Sequence, residues 1–393
     1  MALGDVLGKP KELRTYSPDA RWVLPKSMIG LEFEYEGVHD VPLIFEGNQL
    51  LKSSWTTHKD DSLKDNGTEF IFASPMFGAD AYNAIQGLME GARKLQWKCS
   101  VRAGIHVHLD VRDLELSQLI GFIILYTIVE PILFQWIGDN RENFIFCIPF
   151  YKADESLLET CKLVKSALQD EKYQSNLTYG VSKKFNRYSA LNLQALSKFG
   201  SVEFRHMRTT HDFPRVIDWI NMIQSLKAAT FKLPTSDGAI IKTAKSTPSH
   251  EFLKYVFGNE LAAKLWTADA PRLMHEVGIP TAKDLVLYGL KQKDWEELQV
   301  PEGKHYGFNR FLERARDVDA KKKEELKKIV EDYKKSLKKG GYDMAFAQVN
   351  APGQIIDDAY VALMPPEPPA QPVAEQNMNI NPPDVVWNPL GQF

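Results

Sequence analysis

The chain of 393 residues contains only three cysteines, and none of them forms a C-x-x-C pair. Such an odd, scattered set predicts no disulfide framework and fits a reducing compartment. The glycine-rich nucleotide signatures G-x-x-x-x-G-K-[ST] and G-x-G-x-x-G are also missing. The sequence therefore does not indicate a P-loop or a Rossmann nucleotide site.

A strong charge of one sign and a long hydrophobic segment are absent as well. The formal net charge is −3, which predicts no broad nucleic-acid surface and no polybasic membrane patch. The most apolar run, residues 122–137, is shorter than the roughly 20 residues of a membrane span and is interrupted by Glu130 and Pro131. The N-terminus shows no apolar signal segment. We expect a soluble protein that contacts neither nucleic acid nor membrane.

Carboxylates are abundant in one short segment. Residues 30–37 read Gly-Leu-Glu-Phe-Glu-Tyr-Glu-Gly, and this alternation predicts a strand with Glu32, Glu34 and Glu36 on one face. Like charges along one strand repel each other, and a divalent cation is one device that makes such a face favourable. The alternative is the solvated outer face of an edge strand. This segment alone does not choose between the two interpretations.

Further segments repeat the alternation, with functional groups on one face and large apolar side chains on the other. Residues 68–75, 105–110 and 201–206 are predicted strands. Their polar faces carry Glu69, His106 with His108, and Glu203 with Arg205. Acidic groups packed beside His and Arg are typical of functional sites. Together the strands predict a concave sheet whose inner surface is a metal–carboxylate site.

The order and spacing of these motifs resemble the amidoligase family, many of whose members are encoded by phages. That family belongs to the glutamine synthetase and glutamate–cysteine ligase superfamily of carboxylate–amine ligases. The resemblance covers about residues 28–230. It is carried by Gly-Leu-Glu-Phe-Glu at 30–34, Asp-Ser-Leu at 61–63, Gly-Thr-Glu-Phe at 67–70, Ser-Pro at 74–75, Gly-Ile-His-Val-His at 104–108, Arg-Tyr-Ser-Ala-Leu-Asn at 187–192, Val-Glu-Phe-Arg at 202–205 and Arg-Thr at 208–209. Ala103 departs from the pattern, because many relatives carry Cys there.

The resemblance implies a curved, mostly antiparallel sheet flanked by helices. It does not extend to the C-terminal residues, for which periodicity and composition predict an α-helical part and an extended Pro-rich tail, so the expected fold class is α+β. The resemblance also implies ATP and two or three Mg²⁺ or Mn²⁺ ions as cofactors. The implied metal ligands are Glu32, Glu34, Glu69, His106 or His108 on the same face, and Glu203. Arg205 would hold the transferring γ-phosphate, and Arg208 and Arg187 would neutralise further phosphate or a substrate carboxylate. Asp61 and Ser62 would line the rim of the nucleotide site, to which Asn192 also belongs.

The function implied is an ATP- and metal-dependent ligase that joins a carboxylate to an amine through an acyl phosphate. Its substrates would be small molecules or peptides. One alternative is an ATP-dependent phosphotransferase on the same fold. Another is a virion or assembly protein that uses the fold and the C-terminal tail as a scaffold, with a protein partner for the tail. The expected location is the cytoplasm, that of the host for a phage-encoded protein, or else the virion.

Composition divides the chain into four predicted segments. Residues 1–25 form an extended leader, and residues 26–233 form the amidoligase-like catalytic domain. Residues 234–340 form a helical C-terminal region, whose lysine runs are the solvated face of a helix. Residues 341–393 are a Pro-rich linker and tail, with Pro residues between 365 and 372 typical of an extended spacer.

Overall fold

A six-stranded antiparallel sheet lies at the centre of the fold, and helices flank it. The computed structural model describes residues 3–7, 16–144, 146–152, 188–233 and 237–289. The strand order is β2-β3-β1-β4-β6-β5. The strands are β1 (Ile29–Tyr35), β2 (Trp55–Lys59), β3 (Thr68–Phe72), β4 (Gly104–Asp110), β5 (Leu191–Asn192) and β6 (Ser201–Arg208). The predicted class, mixed helix and antiparallel sheet, is confirmed.

The helices surround a continuous apolar core. They are α1 (Leu3–Leu7), α2 (Val41–Phe45), α3 (Gln49–Ser54), α4 (Gly78–Lys94), α5 (Leu116–Ile137), α6 (Ala195–Phe199), α7 (Phe213–Thr230), α8 (Asp237–Ser246), α9 (Ser249–Leu265), α10 (Ala270–Arg272) and α11 (Ile279–Gly289). A π-helical turn, Leu273–Gly278, joins α10 to α11. Helix α5 contacts β6 and α7 contacts β4, while α8 and α11 pack on α5. The sheet therefore has one face covered by helices.

Helix α5 is the most apolar element of the described chain. Its 22 residues are long and apolar enough to cross a membrane, but 83% of its most apolar window is buried inside the protein. A helix buried to this extent is part of the protein core. Pro131 lies within the helix, which continues through the Glu130-Pro131 pair. The proline removes one backbone donor, and Glu130 beside it is completely buried.

Alternation along the strands separates the two faces of the sheet as predicted. Phe33, Phe70, Val107 and Phe204 are fully buried and belong to one core cluster. Polar side chains between them point to the opposite face. Strand β2 was not predicted, because all of its residues after Trp55 are exposed and show no apolar alternation.

Some predicted segments extend beyond the described residues. About half of the helical region at 234–340 and the whole tail at 341–393 lie outside the described residues. Helices α8 to α11 share one apolar core with α5. The division of the chain into four segments stays a prediction.

The N-terminal segment from residue 16 onward is held across α4 and α7. Trp22 Nε1 donates to the Gly78 carbonyl oxygen at 2.9 Å, and Val23 N donates to Asn221 Oδ1 at 2.9 Å. Gly78 opens α4 with a φ of +69°, and a Cβ there would lie 1.8 Å from the carbonyl oxygen of Ser17. Only glycine allows this close approach.

Replacing Gly78 by alanine therefore tests the docking of the segment. We expect Gly78→Ala to lower the free energy of unfolding by more than Gly47→Ala does. Gly47 has a similar φ of +70° but no atom within 4 Å of its added Cβ, so it reports the left-handed backbone alone. That backbone costs about 1–2 kcal/mol, and the clash adds about 1–3 kcal/mol. Equal losses in urea unfolding of the two variants would contradict the close contact.

Candidate metal–carboxylate site

Strand pairing brings the predicted ligands to one face of the sheet. Residues opposite each other in an antiparallel pair share a face, and their Cβ atoms lie about 4.5–5.5 Å apart. The pairs across neighbouring strands are Glu34 with Glu69, Glu32 with His106, and His108 with Glu203. The three pairs therefore extend one polar surface over four neighbouring strands, β3, β1, β4 and β6.

Glu32 lies at the centre of this cluster. Its Oε2 is 2.9 Å from His106 Nδ1, and its Oε1 is 3.3 Å from His108 Nε2. Glu32, Glu69 and His106 form one group, and Glu32, His108 and Glu203 form another. Within each group one ligand atom per residue lies within 4.8 Å of the others. Because Glu32 belongs to both groups, the geometry suits two adjoining cations that share this carboxylate.

Glu34 is held at the edge of the cluster by the backbone of β4. Its Oε2 accepts the N–H of Gly104 at 2.5 Å, and its Oε1 lies 3.7 Å from His106 Nε2. A Cβ on Gly104 would lie 3.0 Å from His106 Nε2 and 3.3 Å from Glu34 Oε2. The glycine thus keeps the space between these two side chains open.

The carboxylates of the cluster repel each other. Burial, together with the charges of Glu32 and Glu34, raises the pKa of Glu69 to about 8. Burial also raises the pKa of Glu34. Burial acts in the same direction on Glu32, but hydrogen bonds with His106 and His108 outweigh it and hold its pKa below the ordinary value. A divalent cation would relieve this repulsion, and the carboxylate donors present suit Mg²⁺ or Mn²⁺.

Glu203 connects the cluster to a fixed guanidinium group. Arg205 Nη1 donates to Glu203 Oε1, and Asn192 Nδ2 donates to Glu203 Oε2 at 2.7 Å. Arg205 Nε also donates to the Phe146 carbonyl oxygen at 3.3 Å. Burial raises the pKa of Glu203, but the charges of Arg205 and His108 outweigh it, so the pKa falls and Glu203 stays ionised. Asn192 therefore orients a carboxylate of the cluster.

A β-bulge in β6 sets the direction of Arg205. Ile105 pairs with Met207 and Val107 pairs with Phe204, so β6 has one more residue than β4 in this interval. Arg141, which is buried, holds the bulge by donating to the carbonyl oxygens of His206 at 2.9 Å and Arg205 at 3.3 Å. Bulges beside active sites commonly redirect a side chain.

A buried polar network lies on the helix side of the bulge. Tyr126 Oη donates to Glu130 Oε1 at 2.5 Å and lies 2.9 Å from His206 Nε2. Glu130 also accepts the Phe150 N–H at 2.9 Å, and burial raises its pKa to about 7. The network holds both β6 and the loop that presents the Phe146 carbonyl to Arg205. The sequence analysis did not predict this network. The single acidic residue within the apolar run 122–137, Glu130, could have indicated it.

Other predicted site residues lie outside the cluster. Asp61 and Ser62 are exposed in the turn between β2 and β3, and Asp61 pairs with Lys59 at 3.1 Å. Arg208 ends β6, is one-third exposed and lies 3.7 Å from Asp139. It lines a cavity of about 350 Å³ at the end of the sheet. Arg187 lies outside the described residues.

Two acidic residues have roles that the sequence did not show. Asp60, next to the predicted Asp61, is partly buried, and its charge contributes to the raised pKa of Glu34. Glu36 instead accepts the backbone N–H of Lys64 at 2.8 Å and so anchors the turn before β3. Asp60 therefore acts on the cluster, whereas Glu36 is a structural residue.

Comparison with known protein families agrees with the motifs. Residues 52–227 match the family described as "Putative amidoligase enzyme". This match confirms the amidoligase resemblance, and the family is one of ligase-type enzymes. The matched residues include Glu69, His106 and Glu203 but begin after β1, so Glu32 and Glu34 lie outside them. A search of curated proteins finds no match.

The raised pKa of Glu69 predicts a pH-dependent stability of the metal-free protein. A carboxyl group whose folded pKa of about 8 exceeds its ordinary 4.5 stabilises the fold fully below pH 4.5, and this contribution is lost as the pH rises through 8. In the presence of a chelator, we expect the Tm of the wild type to fall as the pH rises from 5 to 8. The Tm of Glu69→Gln should fall less over the same range. Thermal unfolding of Glu36→Gln is the control. Parallel profiles of Glu69→Gln and wild type would contradict the assignment.

Proposed function

We propose that this protein is an ATP-dependent ligase that joins a carboxylate to an amine. The observation that carries the proposal is the pair of ligand groups sharing Glu32, with the guanidinium of Arg205 bound directly to Glu203 of one group. Buried carboxylates on a sheet face beside a fixed cation suit the binding of metal–triphosphate. The family match supports ligase chemistry.

The proposed reaction has two balanced steps. A carboxylate oxygen of the first substrate attacks the γ-phosphorus of ATP, the bond to the β-phosphate oxygen breaks, and an acyl phosphate and ADP form. The amine nitrogen of the second substrate then attacks the acyl carbon, the bond from that carbon to the phosphate oxygen breaks, and the proton lost by the nitrogen leaves with the inorganic phosphate. Phosphoryl transfer depends on in-line positioning and on stabilising the charge of the transferring group.

Residues of the chain provide the positioning. Bound divalent cations would supply charge neutralisation at the phosphate oxygens. Glu32, Glu69 and Glu203 would hold them, together with the imidazoles. Arg205 stays charged because the carboxylates of Glu203 and Glu34 raise its pKa against the effect of burial. Its guanidinium is fixed at two points, so it is ready for the transferring phosphoryl group without rearrangement.

Calorimetric titration with ATP and Mn²⁺ tests the nucleotide site. We expect wild type to bind ATP only with the metal, and Glu203→Gln and Glu32→Gln to lose roughly 10-fold or more in affinity, because glutamine lacks the charge that holds a cation. Glu36→Gln is the matched control on the same segment and should bind like wild type. Absence of nucleotide binding under every metal condition would contradict the proposal.

Counting products separates a ligase from a phosphotransferase on the same site. With ATP, Mg²⁺, a mixture of amino acids and hydroxylamine as the amine, a ligase forms hydroxamates and releases an equal amount of inorganic phosphate. A phosphotransferase leaves the phosphoryl group on its product and releases none. The scaffold alternative depends on the C-terminal tail, which lies outside the described residues.

A further inference from the structure

An exposed aromatic ring lies against the cluster. Phe199 is the last residue of α6, and its side chain is 49% exposed. Its ring contacts that of His108 edge to face, with centroids 5.5 Å apart and an interplanar angle of 85°. His108 itself belongs to the ligand group with Glu32 and Glu203. One edge of the cluster is therefore bordered by a half-exposed aromatic ring.

The position of Phe199 is fixed by the turn that follows it. Gly200 adopts a φ of +66°, and its N–H donates to the Leu196 carbonyl oxygen at 3.0 Å. Its carbonyl oxygen accepts the Val111 N–H at 3.1 Å. Lys198 Nζ lies 4.8 Å from the centre of the Phe199 ring. The ring is thus held on a defined backbone with a positive charge beside it.

Single exposed apolar side chains are common on protein surfaces and need no function. Phe231 and Tyr255, each 46% exposed, lie on the helical part of the chain. Phe199 differs from them because it touches a side chain of the candidate metal site. A ligand bound at the cluster could therefore cover the Phe199 ring if it carried a flat apolar group.

The order of side chains along β6 indicates what that ligand is. Phe199 precedes the strand, Glu203 and Arg205 follow on the cluster face, and Arg208 ends the strand beside the cavity of about 350 Å³. At about 3.3 Å per residue, Arg205 lies roughly 13 Å beyond the start of β6. An extended nucleoside triphosphate presents the same order, a flat base at one end and phosphates at the other.

We propose that the base of the nucleotide stacks on Phe199, so that the nucleotide lies along β6 with its phosphates over Glu203 and Arg205. This inference rests on the proposed function. Stacking of a base on an aromatic side chain is favourable for every base, because each has a π-face.

Paired ligands test the stacking. Calorimetry compares ATP with inorganic tripolyphosphate, each with Mn²⁺, on wild type, Phe199→Ala, Phe199→Tyr and the control Phe231→Ala. We expect Phe199→Ala to weaken ATP binding by about 5- to 100-fold and to leave tripolyphosphate within about twofold. Phe199→Tyr should restore ATP binding, and Phe231→Ala should leave both ligands unchanged. In Phe199→Trp, ATP but not tripolyphosphate should quench the added fluorescence.

Each other outcome overturns the inference in a recognisable way. Equal weakening of ATP and tripolyphosphate by Phe199→Ala would mean that Phe199 only supports His108. Unchanged affinity for both ligands would place the base elsewhere. If wild type binds tripolyphosphate as tightly as ATP, no base is recognised, although the metal–phosphate site stands. If wild type binds neither ligand with metal, the proposed function itself fails, and the stacking falls with it.

Discussion

Repulsion among buried carboxylates is the constraint on which this site depends. Glu32, Glu34, Glu69 and Glu203 face one side of the sheet; Glu34 and Glu203 are buried, and Glu32 and Glu69 are partly buried. Imidazoles, a guanidinium and backbone N–H groups each offset part of the repulsion. The raised pKa of Glu69 shows that they do not offset all of it. This repulsion lowers the free energy of unfolding of the metal-free protein. Such a destabilising cluster is typical of functional sites.

Strand β6 connects this site to the core. On one face it carries Glu203 and Arg205, and on the other it packs against α5 through Phe204 and His206. The bulge between these residues is held by Arg141 and by the hydrogen bonds of Tyr126 and Glu130. The same network binds the loop that supplies the second contact to Arg205. The direction of the guanidinium is therefore decided by core packing as much as by the cluster itself.

The features along β6 also give the site a direction. Phe199 provides the proposed stacking surface at one end, the candidate ligand Glu203 and Arg205 lie in the middle, and Arg208 lines a cavity at the other end. A reaction between a bound nucleotide and a second substrate needs the two to meet at the transferring phosphoryl group. The proposed ligase function and this linear order agree, and both depend on the same antiparallel register.

Much of the site was determined by the sequence itself, because alternation with period two is a local property of the chain. It predicted β1, β3, β4 and β6, and which side chains share a face. Only the tertiary structure decided the strand order, the sharing of Glu32 between two ligand groups and the bulge that directs Arg205. It also decided that Glu36 anchors a turn and that Glu130 joins a buried network. These outcomes depend on turn geometry and on contacts between residues far apart in the chain, which no local pattern records.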